Sequence, residues 1–169
     1  SKQGRMHPDV AHFSNHAFYN GKLQSLGLPH QQDESTPEVA IDNAIRITSR
    51  MFFIPSKRES HNCSGKTNHY EARLTAELVA RIYDRHREEF NPHKTIGVIT
   101  PYRSQIALIR QEIEQLNIEA LKGIMVDTVE RFQGSERDVI IYSFCVNYSY
   151  QLRLLSNVIE DEGCLIDRK

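Results

Sequence analysis

Tryptophan is absent from this 169-residue chain, and no charge is in excess: 21 Lys and Arg stand against 22 Asp and Glu, a net charge of -1 with His neutral. There is no basic footprint, so composition alone speaks against a nucleic-acid-binding protein. No apolar run approaches the roughly 20 residues of a membrane span. The opening Ser1-Lys2-Gln3-Gly4-Arg5 has no apolar core behind it and does not read as a signal peptide. Cysteine is scarce. Cys63, Cys145 and Cys164 are odd in number and far apart, which excludes a disulfide framework and suits free thiols in a reducing, intracellular setting such as the cytoplasm. No internal repeat is visible. What is present is ordinary: 39% hydrophobic and 25% charged residues, a length sufficient for one domain with a sizeable core.

Along the chain, residues 1–35 are rich in His, Asn, Gln and Gly and form an entry segment, with an apolar stretch at 10–19 that predicts a helix or two turns. Residues 44–48 and 51–54 read as two short strands, followed by a polar loop at 55–68. Asn68 with Glu71 reads as a capping box, the Asn taking an orphan amide while the Glu reaches back. Leu74, Leu78 and Ile82 recur at helical spacing and predict a helix from about 70 to 89, stopped by Asn91-Pro92.

Thr95-Ile96-Gly97-Val98-Ile99-Thr100 is a continuous apolar run, the mark of a strand buried on both faces. Thr100 then reads as a cap, with Pro101 opening a second helix that carries Ile106, Ile109, Ile113 and Leu116. Residues 124–126 form another short strand, Asp127 with Glu130 caps a brief helical turn, and 139–146 give the strongest strand signal. Strands alternating with helices predict an α/β domain with a mainly parallel sheet. Ligands gather at the carboxyl ends of such strands, which singles out the loops at 100–103 and 127–138.

Two attractive patterns do not hold up. Ser64-Gly65-Lys66-Thr67 looks like the end of a phosphate-binding P-loop, but the full pattern requires glycine at position 60, which is Ser60. Its helix also starts too late to point amides at phosphate. His61, Cys63 and His69 have zinc-ligand chemistry without a fourth ligand or a known pair spacing, and eight histidines make such clustering unremarkable.

Three ordered segments rise above this background. The first is Gly4-Arg5-Met6-His7-Pro8 with Phe18-Tyr19-Asn20-Gly21-Lys22-Leu23. The second is Gly97-Val98-Ile99-Thr100-Pro101-Tyr102-Arg103-Ser104-Gln105. The third is Val126-Asp127-Thr128-Val129-Glu130-Arg131-Phe132-Gln133-Gly134-Ser135-Glu136-Arg137-Asp138. Together they resemble the second RecA-like domain of superfamily 1B helicases, the group containing the nonsense-mediated-decay helicase and its bacterial relatives. "RMHP" resembles the opening of that domain, "TPYRSQ" motif IV and "VDTVERFQGSERD" motif V; Asn68 to Ala72 also fits. The resemblance covers nearly the whole chain.

It implies a RecA-like three-layer α/β domain, residues 1–169 forming one C-terminal motor domain, and ATP-dependent helicase activity in the full-length protein. Phosphoryl transfer depends on cations placed over developing charge. The resemblance makes Arg5 the arginine that reaches the γ-phosphate across a domain cleft; the alternative is a surface arginine bonded to a carbonyl. It places Gln133, Gly134 and Glu136 against nucleotide, the glycine allowing close backbone approach and the glutamate meeting ribose or bound water; the alternative is an ordinary glycine turn. In that alternative Glu136, Arg137 and Asp138 are all exposed turn residues. Thr100, Tyr102, Arg103 and Thr128 fall where the family touches the nucleic-acid backbone, and hydroxyls and amides bind phosphate without net positive charge. For Thr100, capping of the next helix is an equal alternative. His7 and Pro8 read as shaping the entry rather than doing chemistry.

The family's first domain, with its P-loop and acidic magnesium motif, has no counterpart here, and the sequence reads as stopping before motif VI. The implied partners are therefore ATP and Mg2+, held mainly by an N-terminal RecA-like domain of the same parent chain, together with single-stranded DNA or RNA. The chain alone is expected to be inactive. The competing functional reading is a non-catalytic RecA-like module that binds nucleic acid or protein.

Overall fold

The computed structural model describes residues 1–35, 39–40, 46–56, 65–148, 150–151, 158–161 and 164–167, and its internal contacts divide into two units, Ser1–Ile54 and Pro55–Lys169. In the first unit, Lys2–Gln3 (β1) pairs in parallel with Gln24–Ser25 (β2). Between them runs a helix, Pro8–Tyr19 (α1), with His7 as its cap: the His7 Nδ1 accepts the Asp9 N–H at 3.2 Å. Proline sits at the first helical position, where a missing N–H costs nothing. The helix ends on two left-handed residues, Asn20 (φ 50°) and Gly21 (φ 72°), and the Gly21 N–H closes on the Asn15 carbonyl at 3.0 Å. The stretch at 10–19 is thus helical, two residues longer than its apolar core.

A single helical turn, Pro29–Gln32 (α2), and an antiparallel hairpin of Val39–Ala40 (β3) and Arg46–Ile47 (β4) complete this unit. The first expected strand survives only as β4, residues 44 and 45 lying outside the described residues. The second, at 51–54, does not form. Side chains bend the backbone there instead: the Ser49 hydroxyl donates to the Met51 carbonyl at 2.5 Å. Arg50 Nη2 donates to the Asp33 and Ser35 carbonyls at 2.5 and 2.6 Å. Met51, Phe52 and Phe53 are left exposed.

The second unit opens on a helix, His69–Arg85 (α3), whose buried face carries Ala72, Ala76, Val79 and Ile82. It ends four residues earlier than its periodicity suggested, because the His86 N–H is shared between the Ile82 and Tyr83 carbonyls, both at 3.1 Å, and residues 86–89 continue as turns. Ile96–Ile99 (β5) follows, then Arg103–Gln115 (α4), a 3-10 turn at Glu119–Gly123, Met125–Asp127 (β6), a single turn Val129–Phe132 (α5), and Val139–Tyr142 (β7). Val158–Asp161 (β8) and Cys164–Asp167 (β9) form a separate antiparallel hairpin.

β5 is central in a three-stranded parallel sheet of order β6-β5-β7 and is buried along its whole length, as an apolar run demands. The register puts Ile96, Val98, Val126, Val139 and Ile141 on one face, where Ile96, Val98 and Val126 join α3 and α4 residues in the main core. Gly97, Ile99, Met125, Asp127, Ile140 and Tyr142 share the other face. The chain moves outward from β5 to β6 through α4, then reverses across β5 to reach β7. A right-handed crossover that reverses direction must run over the opposite face, and α5 does: Phe132 lies over Gly97. This is the α/β, mainly parallel, RecA-like architecture that the sequence implied. No helix among the described residues is long and apolar enough to cross a membrane.

β7 departs from expectation. It is an edge strand, four residues long rather than eight, and alternates in burial, with Ile140 46% and Tyr142 39% exposed. It stops where Cys145 turns left-handed at φ 53°, its N–H drawn to the Glu71 carboxylate at 2.8 Å.

Gly97 is where the second face closes. A Cβ there would stand 2.6 Å from Phe132 Cε1 and 2.9 Å from Arg137 Cγ, closer than side-chain atoms pack. Gly97→Ala is therefore expected to lower unfolding free energy by about 1–3 kcal/mol, the usual range for overpacking, measured as a shift in the urea midpoint. A midpoint at or above that of the parent would show that Phe132 and Arg137 are not seated on this glycine.

Candidate functional site

The bend at Gly4-Arg5-Met6 is held by glutamine and histidine side chains. Gln3 Oε1 accepts the Arg5 and Met6 amides at 3.1 and 2.8 Å, and Gln3 Nε2 donates to the Met6 carbonyl at 2.7 Å. Gln31 Nε2 donates to the Gln3 and Met6 carbonyls at 3.1 and 3.0 Å, and His30 Nε2 bonds the Gly4 carbonyl at 2.9 Å. These bonds fix the backbone of the bend, and Arg5 on it is exposed. Gln3, His30 and Gln31 were not singled out in the sequence, because nothing in their spacing shows that they converge.

The other site residues belong to the second unit. Thr100 continues β5, its N–H bonded to the Asp127 carbonyl at 3.1 Å. It does not cap the following helix. α4 begins at Arg103, and Tyr102 is the cap residue, its carbonyl accepting the Gln105 and Ile106 amides at 3.0 and 3.1 Å. The Thr100 side chain is 0% exposed and its hydroxyl has no hydrogen-bond partner among the described residues, so the capping alternative falls and so does direct solvent access. Tyr102 is half-buried and Arg103 exposed.

On the neighbouring strand, Thr128 caps α5, with the Arg131 and Phe132 amides on its carbonyl at 3.1 and 3.3 Å. Asp127, expected as that cap, instead accepts the Thr128 N–H at 2.8 Å. The neighbouring Thr128 side chain, and then the Glu130 backbone amide, hold the Glu130 carboxyl below its ordinary pKa. Tyr142 joins this edge from β7. Burial first, then the Glu130 charge and Tyr102, push its phenol above the ordinary pKa, so Glu130 and Tyr102 are each within electrostatic reach of Tyr142.

Beyond α5, Gln133 (φ -55°, ψ 125°) and Gly134 (φ 83°) are the two central residues of a type II turn closed by the Ser135 N–H on the Phe132 carbonyl at 2.8 Å. The glycine is required by that positive φ, since a Cβ would meet nothing within 4 Å. Gln133, Gly134 and Glu136 are exposed above the turn. Arg137 is half-buried, unlike the exposed turn residue of the ordinary-turn alternative.

Beneath the loop at 100–103 lies a polar network that the sequence showed only in part. Asn68 does cap α3, accepting the Glu71 N–H at 2.9 Å, but Glu71 does not reach back to complete a box. The Asn68 N–H is taken by Gln105 Oε1 at 2.8 Å, and Gln105 Nε2 returns to the Asn68 carbonyl at 3.0 Å. Glu71, 8% exposed, receives the Ser143 hydroxyl and the Cys145 amide on one oxygen, both at 2.8 Å, and the Ser56 hydroxyl on the other at 2.8 Å.

Asn68 Nδ2 donates to Asn147 Oδ1 at 2.9 Å, and Asn147 Nδ2 to the Thr67 carbonyl at 2.9 Å. The Ser104 hydroxyl donates to the Lys66 carbonyl at 2.8 Å, and Gln151 Nε2 to the Gly65 carbonyl. Carbonyls of residues 65–67 are thereby turned toward the protein's own donors, the reverse of a phosphate cradle built from amides. Ser64, and His61 and Cys63 of the rejected zinc pattern, lie outside the described residues.

Comparison with known proteins bears on this arrangement. The AAA domain family model matches residues 1–165. Helicase sen1 of Schizosaccharomyces pombe is 31% identical over 150 residues, covering 88% of this chain and 9% of that protein. ATP-dependent helicase NAM7 of Saccharomyces cerevisiae is 32% identical over 154 residues, covering 88% of this chain and 15% of its own length. Regulator of nonsense transcripts 1 of Dictyostelium discoideum is 32% identical over 154 residues, with 88% of this chain and 11% of that protein covered. The chain thus spans a small part of each of these relatives.

Glu71 gives the network a sharp test. Glu71→Ala strands a buried amide and a buried hydroxyl, at about 1–3 kcal/mol for each unsatisfied group. Glu71→Gln keeps an oxygen for Ser143 and Cys145 and turns its amide toward Ser56, whose hydroxyl can accept. The Ala protein is expected to melt well below the Gln protein. Equal loss in both would show that charge, rather than acceptor geometry, is what the network requires.

Proposed function

The chain belongs to the AAA domain family, and with helicases as its relatives we propose that it is the second, C-terminal motor domain of an ATP-dependent superfamily 1 helicase. The observation that carries this is the meeting of two loops at one sheet edge. Residues 100–103 and 128–136 leave the carboxyl ends of the adjacent parallel strands β5 and β6, paired as far as Ile99 with Asp127. Connections from this edge run to opposite faces, which is where α/β sheets bind their ligands.

In this reading Tyr102, Arg103 and Thr128 form part of a track for the backbone of a single nucleic-acid strand, DNA or RNA. Thr100, being buried, serves as the floor of that track. Gln133, Gly134 and Glu136 face nucleotide from the open side of the type II turn. Arg5, on its braced bend, reaches the γ-phosphate and stabilises charge that develops as the phosphoryl group leaves. ATP lies between this domain and an N-terminal RecA-like domain of the same protein. Its binding closes the two domains on the strand, and its hydrolysis lets them part, so the strand advances 5′ to 3′. Mg2+ is assigned mainly to the first domain.

Two measurements test the proposal. In the full-length protein, Arg5→Ala is expected to lower ATP turnover by about 10³-fold or more while ATP binding is retained, as for other arginines placed on a transferring phosphoryl group. Turnover within about two-fold of the parent would leave Arg5 a surface residue. With the 169-residue chain alone, no ATP hydrolysis above buffer is expected. Magnesium-dependent turnover abolished by Lys66→Ala would replace the helicase reading with a P-loop one.

A further inference from the structure

Arg137 combines features that a turn residue does not need. Its aliphatic stem lies over Gly97, at a distance that would leave 2.9 Å between its Cγ and a Cβ placed there. Its guanidinium stands 5.9 Å from the centroid of the Phe132 ring, and Phe132 is buried. Nη1 donates to the Glu136 carbonyl at 2.6 Å, and Nη2 to the Met125 sulfur at 3.7 Å. Nε is buried with no hydrogen-bond partner among the described residues.

A half-buried guanidinium answered, among the described residues, only by a carbonyl, a thioether and a ring is costly to keep. Leucine or methionine would fill the same space over Gly97 and Phe132 at less cost. What neither would supply is the donor on the Glu136 carbonyl. A guanidinium supplies it in a fixed plane, and the seat over Gly97 sets where that plane lies.

We propose that Arg137 is a positioning residue for the nucleotide-facing turn, clamping the Glu136 backbone to the second face of the sheet so that Gln133, Gly134 and Glu136 are presented in one conformation. The proposal rests on the reading of that turn as nucleotide-facing. Gly97 belongs to the same device: without its missing side chain, neither Phe132 nor the Arg137 stem could approach β5. The anchor reaches the turn from below and touches no ligand, so it acts on the affinity for ATP through the backbone of its neighbour.

The test uses the full-length protein with Arg137→Met, which keeps packing volume but loses the donor, Arg137→Lys, which keeps charge and one donor, and Glu136→Ala. Amide hydrogen exchange at residues 134–136 reads the clamp directly; KM for ATP reads its consequence. Arg137→Met is expected to keep its melting temperature nearly unchanged, exchange faster at these amides, and raise KM about ten-fold, the order of one charge-assisted hydrogen bond, with kcat less affected. Arg137→Lys is expected to restore part of both. Unchanged exchange in Arg137→Met overturns the clamp, as does unchanged KM there when Glu136→Ala raises it. Unchanged KM in Glu136→Ala overturns the nucleotide-facing reading instead, and the exchange result still decides the clamp.

Discussion

Glu71 sits at the first turn of α3 with both carboxylate oxygens occupied, by the Ser56 hydroxyl on one and by the Ser143 hydroxyl and Cys145 amide on the other. No cation pairs with it among the described residues. A buried carboxylate needs donors wherever it cannot have water, and here those donors come from segments far apart in sequence. The arrangement ends β7, since the Cys145 amide leaves the sheet to reach Glu71. It also holds Cys145 in a left-handed conformation (φ 53°) that a side-chain-bearing residue adopts only when its surroundings insist. Asn68 and Gln105 extend the same bonding to the start of α4, immediately after the loop that carries Tyr102 and Arg103. The edge of the sheet proposed to hold ligand is thus fixed from beneath by polar contacts, while the apolar core fixes the helices.

On the opposite face the fixing is steric. Reversal of the chain across β5 brings α5 over that face, and with only one helical turn available the cover must be close. Gly97 permits it. Phe132 and the Arg137 stem occupy the space that any other residue's Cβ would need, and the type II turn at Gln133-Gly134 then lifts the exposed residues away from the sheet. One face of β5 is therefore packed by a conventional core and the other by two side chains on a glycine. The second is the thinner cover, and it leaves Ile140 and Tyr142 partly exposed along the edge strand.

Much of this was legible in the sequence. The buried strand at 96–99, the helices on either side and the parallel sheet follow from apolar periodicity, which depends on local pattern alone. The loops at 100–103 and 127–138 follow from the rule that places ligands at strand carboxyl ends, and both lie there. What the sequence hid was the destination of polar side chains. Asn68 and Glu71 have the spacing of a capping box, but the reciprocal bond went to Gln105, 37 positions on, because a buried network outcompeted a local contact. Thr100-Pro101 has the composition of a helix start, yet Thr100 stayed in the ladder with Asp127. Residues 51–54 are apolar enough for a strand but have no partner strand among the described residues. Arg137 looked like surface because its seat, Gly97, is 40 positions earlier, and no local pattern connects them.

The near-neutral composition also takes on a different meaning once the site is assembled. Affinity from counterion release scales with the number of phosphates neutralised, and in the proposed function one domain of a two-domain track would meet only a few. At this edge the charges alternate: Arg103 is exposed on α4, Glu130 and Arg131 on α5, and Arg131 lies 3.9 Å from the Asp127 carboxylate. Thr128, placed by the proposed function against a phosphate, stands beside Glu130 and helps hold that carboxyl below its ordinary pKa. A phosphate held there as proposed would stand near a like charge. That repulsion would weaken the grip. In the proposed motor, which would have to release each phosphate as readily as it takes it, an anion beside the contact point favours release, where a uniformly basic groove would not.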